Sequence, residues 1–374
     1  MELTGLVSKK IRFWSFVSMI LLVFVHGYNL DIRYLQPWTL PGEHMGITSF
    51  TEYFLANGIF RFRIPMLFII SGFLYARNDQ KPYAKRISKR LRTLLVPYLL
   101  WSAIAILFTY ALETIPEGRN LVSGSHILKI DDSRQLLHDY NWYEVLIRWL
   151  LIPIPYQLWF IRVLLIYNLA YPTIRWCMVN RVARWIFFTL AIIMWLGTMG
   201  FVFFEGEGLL FFALGVWIQK SDYNFNSPAP WFPAFWWGVA LISLASLKTI
   251  LAFKGQVYLG DDLQEVLILL HKLTILTGLI SCWYGLDKLV IWSMEKHWFA
   301  SISSFSFIIY AIHAPLVAIL INPALTLLSA LPGTHLLVFV FLPLSILFMA
   351  VLTGLILRRI SPGTYSLLTG GRGL

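Results

Sequence analysis

Runs of apolar residues about as long as a bilayer is thick recur along the whole chain, and nothing else constrains its fold as strongly. A helix needs about 20 mainly apolar residues to cross a hydrocarbon core. FWSFVSMILLVFV (13–25), VPYLLWSAIAILFTYAL (96–112) and HLLVFVFLPLSILFMAVLTGLIL (335–357) approach or reach that length. Of the 374 residues 58% are hydrophobic and 13% are charged, too little charge to cover a soluble domain of this size. The expected fold is all-α and integral to the membrane, a single bundle and one domain over residues 1–374. About ten spans are expected, near 13–29, 55–76, 93–113, 157–174, 184–204, 207–220, 232–252, 263–286, 301–322 and 335–357. The polar stretch 114–156 cannot span and reads as an outer loop carrying a surface helix around Trp142 to Leu151.

The formal charge of +11 suggests nucleic acid until the charges are located: they lie between the spans. With the N-terminus inside, the inner segments hold 19 of the 30 Lys and Arg residues, and the densest cluster, RNDQKPYAKRISKRLR, fixes a cytoplasmic basic loop at 77–92. Both termini are then cytoplasmic. The basic start at Lys9, Lys10 and Arg12 precedes an apolar run with no small-residue cleavage site after it, so the first span is read as uncleaved. Cys177 and Cys282 fall near cytoplasmic helix ends, where a structural disulfide is not expected.

Ionisable residues inside the spans are few and gather at one depth, the outer half. These are His26, Arg61 and Arg63, Arg162 beside Trp159, Glu205 and Glu207 in the FEGEG turn, and His313, while Lys248 and Lys272 also lie within or at the ends of spans. An arginine at the centre of a lipid-facing helix costs roughly 2.5–3.5 kcal/mol on insertion scales, so such residues face inward and mark a pathway or a site. The bland readings are an interfacial histidine at 26, snorkelling anchors at 61 and 63, solvated turn carboxylates at 205 and 207, and packing at the Pro315 kink for His313. Residues two apart on a regular helix point to opposite sides, because each turns about 100°. Arg61 and Arg63 can therefore address one site only where the backbone is not regular helix, and Pro65 favours such an irregularity. No phosphate loop, HExxH or CxxC is present, and His26 with His313 is too few ligands for a metal.

RFRIPMLFIISGFLYA (61–76) resembles the arginine–proline–phenylalanine–serine–glycine signature of acyltransferase family three, membrane enzymes that decorate bacterial surface glycans. KRLRTLLVPYLLW (89–101), QLWFIRVLLIY (157–167), FFALGVWI (211–218) and SFSFIIYAIHAPL (304–316) resemble later blocks of that family in the same order. The resemblance implies catalytic roles for His26, Arg61 and Arg63, and substrate contacts from Trp159, Ser71 and His313; Arg162 and Glu205, at the same depth, are read as further substrate contacts. It also implies an acyl-CoA co-substrate, acetyl-CoA above others, with Arg12, Arg86 and Arg90 near its phosphates and no permanently bound cofactor or metal. The implied partners are the lipid bilayer and a glycan or lipid-linked saccharide acceptor, and the implied location is the bacterial inner membrane. Two positions depart from the family pattern: Ser15 stands where many members have arginine, and Gln157 where many have histidine. His26 would act as general base or as a transient acyl carrier. A transporter or flippase with interior arginines is the rival reading, and a membrane sensor a third.

Overall fold

The computed structural model describes residues 5–27, 36–39, 42–124, 136–221, 223, 225–226 and 233–373; Arg33, Lys129 and Arg134 of the expected outer loops lie outside these. The described residues are helical, with no strand among them beyond a single bridge between Gly200 and Glu205. Among the described residues, six helices are long and apolar enough to cross a membrane: Ile47–Arg77, Tyr83–Glu113, Ala234–Lys254, Gln256–Gly285, Ser306–Leu327 and Thr334–Ile360. A seventh exists if Tyr171–Val179 and Arg181–Leu196, bent by 117°, count as one span. The ten expected spans are thus not all matched, and the reasons are local. The first helix, Gly5–His26, carries Lys9, Lys10 and Arg12 within its length. The expected span 157–174 is divided at Ala170, which precedes Tyr171–Val179 with Pro172 in its first turn. Asn180 then starts Arg181–Leu196 by accepting the Ala183 N–H at 3.0 Å, as a helix cap does. Gly206–Lys220 has 15 residues, about 22 Å, short of a hydrocarbon core.

The basic run expected as a loop is mostly helix. Pro82 precedes Tyr83–Arg90, whose lysines and arginines favour helix, and a π turn at Leu91–Leu95 carries it into Val96–Glu113.

The chain packs as two compact units, 1–81 with 169–303 and 82–168 with 304–374. In the first unit Arg63–Arg77 and Gly206–Lys220 pack backbone against backbone. A Cβ on Gly72 would lie 2.1 Å from the Phe212 carbonyl oxygen, and one on Gly215 would lie 2.1 Å from that of Ile69. Small residues permit such approach between membrane helices, where dispersion rather than apolar burial drives association. At one end of this pair Asp79 accepts Lys220 Nζ at 2.7 Å and is bonded by Arg175 Nε. Burial would raise the Asp79 carboxyl, but those two cations outweigh it and hold it at about 2.

In the second unit the surface helix is present as Trp142–Leu150. It exposes Trp142, Tyr143, Leu146 and Ile147, as an interfacial helix does. Tyr98 donates to the Leu150 carbonyl at 3.0 Å and Ser102 to that of Trp149 at 2.9 Å, which fastens this helix to Val96–Glu113. Glu113, fully buried, holds the short 3₁₀ turn Leu137–Asp139 by accepting the N–H groups of Leu137 (2.9 Å) and His138 (3.0 Å) and pairing with His138 Nδ1 at 2.8 Å.

Gly72→Ala is expected to abolish folded protein in membranes, because the clash is with backbone, whereas Gly363→Ala, with open space around it, leaves yield unchanged; fluorescence-detected size exclusion of both variants measures this. Asp79 has a depressed pKa, so its stabilising ties are complete above about pH 4 and weaken as pH falls toward 2. Melting temperatures taken between those values should fall in the wild type and fall less steeply in Asp79→Asn.

Candidate active site

His26 closes the last turn of Gly5–His26 and is 4% exposed. That helix end meets the start of the second membrane helix, where the Phe24 and Phe60 rings stand edge to face at 6.5 Å. Here the backbone is irregular, as the spacing of the two arginines requires. Tyr53–Gly58 is a π turn, Ile59–Phe62 is tighter 3₁₀ helix, and regular α-helix resumes only at Arg63. Pro65 sits in the first turn of the resumed helix, where a missing N–H costs nothing. The irregularity lies upstream of Pro65 and is braced from other helices. Gly58 packs on Ala245, where an added Cβ would come within 3.0 Å of the alanine Cβ. Arg63, 5% exposed, donates back to the Phe60 carbonyl at 3.0 Å.

The main brace is a residue the sequence reading left without a role. Lys248, fully buried in Ala234–Lys254, donates to the Asn57 carbonyl and lies 3.2 Å from Asn57 Oδ1 and 3.0 Å from His271 Nδ1. A π-to-3₁₀ transition interrupts the helical ladder, and an ammonium group is a strong donor for a carbonyl at such a break. Asn57 Nδ2 in turn donates to the Gln36 carbonyl at 2.8 Å. Next along Leu263–Gly285, Lys272 stands 5.1 Å over the Trp195 ring, and Trp195 Nε1 donates to Glu207 at 3.1 Å. Arg61 is close enough for its charge to act on Lys248, His271 and Lys272, and the charges of Glu205 and Glu207 act on Lys272. Arg61, Arg63, Glu205 and Glu207 thus lie within electrostatic reach of members of the Lys248, His271 and Lys272 cluster in the first unit, and the helix that ends at His26 meets the same turn through Phe24 and Phe60. The signal that singled out Arg61 was available for the two lysines, since each interrupts an apolar run: LASLKTILAF and LILLHKLTIL.

Ser71 lies half-buried one residue before the close approach at Gly72, so the glycine of that pair has a packing role. Arg12 donates to the Ala300 carbonyl at 2.7 Å and to Ser303 at 3.1 Å, fastening the first helix to His297–Ser303. The same unit holds an apolar cavity of about 230 Å³ lined by Ile11, Met66, Phe73, Phe211, Leu276 and Trp283. It also holds a polar one of about 640 Å³ lined by Arg77, Asn78, Asp79, Gln80, Gln219 and Lys220.

The other predicted residues belong to the second unit. Arg86 is buried and Arg90 half-buried on Tyr83–Arg90. Trp159 begins the helix Trp159–Leu169, and Arg162 on it donates to the Leu151 carbonyl. His313 is fully buried in Ser306–Leu327, with Nδ1 2.8 Å from the Tyr310 carbonyl and 3.1 Å from that of Ile309. Both partners are acceptors, so Nδ1 carries the proton. Pro315 lacks the N–H that would bond the carbonyl four residues earlier, Ala311, and Gln157 Nε2 supplies that bond at 3.0 Å. Tyr310 returns a hydrogen bond from its hydroxyl to the Gln157 carbonyl. The residue standing where many family members have histidine therefore repairs a proline break. Among the described residues, no three His, Cys, Asp or Glu side chains converge as a metal site. Gln157→Leu is expected to leave the Ala311 carbonyl unbonded, at about 1–3 kcal/mol, and to lower the melting temperature, while Gln157→His, which keeps a donor, restores part of the loss.

An acyltransferase domain model, that of the acyltransferase 3 family, matches residues 10–354. The chain is 24% identical over 369 residues to the succinoglycan biosynthesis protein ExoH of Rhizobium meliloti (strain 1021), covering 98% of this chain and 93% of that protein. No solved structure matches the chain significantly. The family match spans nearly the whole length and includes every helix described above that carries His26, Arg61, Arg63 and the buried lysines, so the chain belongs to the acyltransferase 3 family and is a membrane acyltransferase.

Proposed function

We propose that this enzyme transfers an acyl group, acetyl before others, from cytoplasmic acyl-CoA to a hydroxyl of a glycan or lipid-linked saccharide on the outer side of a bacterial inner membrane. Both termini then face the cytoplasm, in keeping with the basic residues of the inner segments. A glycan acceptor is supported by the relative's part in succinoglycan biosynthesis. The observation that carries the reading is the junction, within the first unit, of the helix ending at the buried His26 with the irregular turn bearing the half-buried Arg61.

The chemistry follows from those groups. His26 as general base removes the proton from the acceptor hydroxyl, a step typically worth about 10²- to 10⁴-fold. The hydroxyl oxygen adds to the thioester carbonyl, and Arg61 and Arg63 stabilise the tetrahedral oxyanion in a low-dielectric site. The intermediate collapses with loss of the C–S bond, leaving the acyl ester and the CoA thiolate, to which the imidazolium returns the proton. Ser15 and His26 lie 11 residues apart on one helix, about 16 Å. A donor nucleotide at the cytoplasmic mouth therefore needs its pantetheine arm to run along the bundle. The apolar cavity beside Ile11 and Trp283 offers part of such a path. For donor binding we assign Arg12 in the first unit, engaged with Ala300 and Ser303, and Arg86 and Arg90 in the second. For substrate contact we assign Ser71 and Glu205 in the first unit and Trp159, Arg162 and His313 in the second, where His313 and Arg162 also hold backbone carbonyls.

Purified protein in nanodiscs, given acyl-CoA and a glycan acceptor, should release CoA thiol in step with ester formation. His26→Ala should lower that rate by about 10²-fold or more. Arg61→Ala should lower it far more than Arg359→Ala, an exposed arginine near the end of Thr334–Ile360. Glycan movement without thioester consumption would identify a transporter instead.

A further inference from the structure

The buried lysines exceed what acyl transfer to a neutral hydroxyl requires. Lys248 lies six residues from the end of Ala234–Lys254 and His271 eight residues from the start of Leu263–Gly285, about 9 and 12 Å along those helices. Lys248 is fully buried and Lys272 is 6% exposed. Lys248 Nζ meets a carbonyl, an amide oxygen, an imidazole nitrogen and, at 5.4 Å, the Tyr53 ring. Four basic side chains, Arg61, Arg63, Lys248 and Lys272, therefore share this part of the unit, with Arg61 in electrostatic reach of both lysines and Arg63 of His271. Glu205 and Glu207 act on Lys272, and Glu52 is buried one residue before Tyr53. Like charges crowded in low dielectric are stabilised best by an anion brought among them. The geometry also supplies donors: with Lys248 donating to His271 Nδ1, the imidazole is neutral and carries its proton on Nε2.

Building on the acyltransferase reading, we infer that Lys248, His271 and Lys272, beside Arg61, form a subsite for a substrate oxyanion, a carboxylate or phosphate separate from the reacting thioester and hydroxyl. Lys248 supplies field and braces the turn, while Lys272 and His271 recognise the anion. The oxyanion belongs either to the far end of the transferred acyl group or to the acceptor.

Two measurements on protein in nanodiscs test this. Sulfate or inorganic phosphate, against chloride at equal ionic strength, should raise the melting temperature of the wild type. Lys272→Gln and His271→Gln should remove at least half of that rise, and Lys288→Gln none; an anion effect equal in all four proteins overturns the subsite. The second measurement compares neutral acyl-CoA donors with donors whose acyl group ends in a carboxylate. A carboxylate on the acyl group predicts that Lys272→Gln lowers kcat/KM by about tenfold or more for the charged donor and much less for the neutral one. An anion on the acceptor predicts a similar rise in acceptor KM with every donor, together with competition by inorganic phosphate. Unchanged kinetics in both arms overturns the proposal. No transfer with any donor, alongside a retained Lys272-dependent anion effect, would overturn the acyltransferase reading and leave the subsite standing. Lys248→Met is the less informative variant, because loss of its bond to Asn57 disturbs the turn itself.

Discussion

The bond from the Lys248 ammonium to the Asn57 carbonyl holds together the part of the molecule on which its chemistry depends. A membrane helix satisfies its own backbone, and any departure from the ladder leaves groups that lipid cannot satisfy. The turn at 53–62 is such a departure, and it is tolerated because a neighbouring helix brings a strong donor to it. That departure lets Arg61 and Arg63 leave the opposite-sided arrangement that a regular helix would impose. The same lysine draws His271 into the cluster and so links three helices at the end where His26 terminates a fourth.

Close backbone approach is the second constraint. Gly72 and Gly215 let the arginine-bearing helix and Gly206–Lys220 touch through their main chains, which sets Glu205 and Glu207 beside the cationic cluster. The glycine of the Ser71–Gly72 pair thus contributes to the site by fixing where another helix begins. In the second unit Gln157 plays a comparable part, closing the Pro315 break around His313 with a side-chain amide. Both cases show a motif position whose first task is to satisfy or to admit backbone.

Much of the class was legible beforehand. Apolar run length announced membrane helices, and the surface helix at Trp142 and the irregular backbone near Arg61 were both readable. Their causes are local: alternation of apolar and polar residues, and the geometric conflict of two arginines two residues apart. Ten apolar runs outnumber the six or seven span-length helices among the described residues, because hydropathy registers neither the bend at Asn180 nor the 15-residue length of Gly206–Lys220. Lys248 and Lys272 are visible in the sequence as cations within apolar runs, with the same desolvation cost as Arg61, but no single stretch shows that they and His271 meet one another.

By itself the sequence determined an all-helical membrane protein, the families of residues able to do acyl chemistry, and the place where one helix could not be regular. Each of these rests on composition or on neighbours within a few residues. Tertiary structure alone decided that Lys248 would meet Asn57, 191 positions away, and that Gln157 would meet Ala311, 154 positions away. Those pairings depend on which helices lie side by side. That choice is made by interhelical packing and by the demand that every buried backbone group find a partner, and neither is written in any one stretch of the chain.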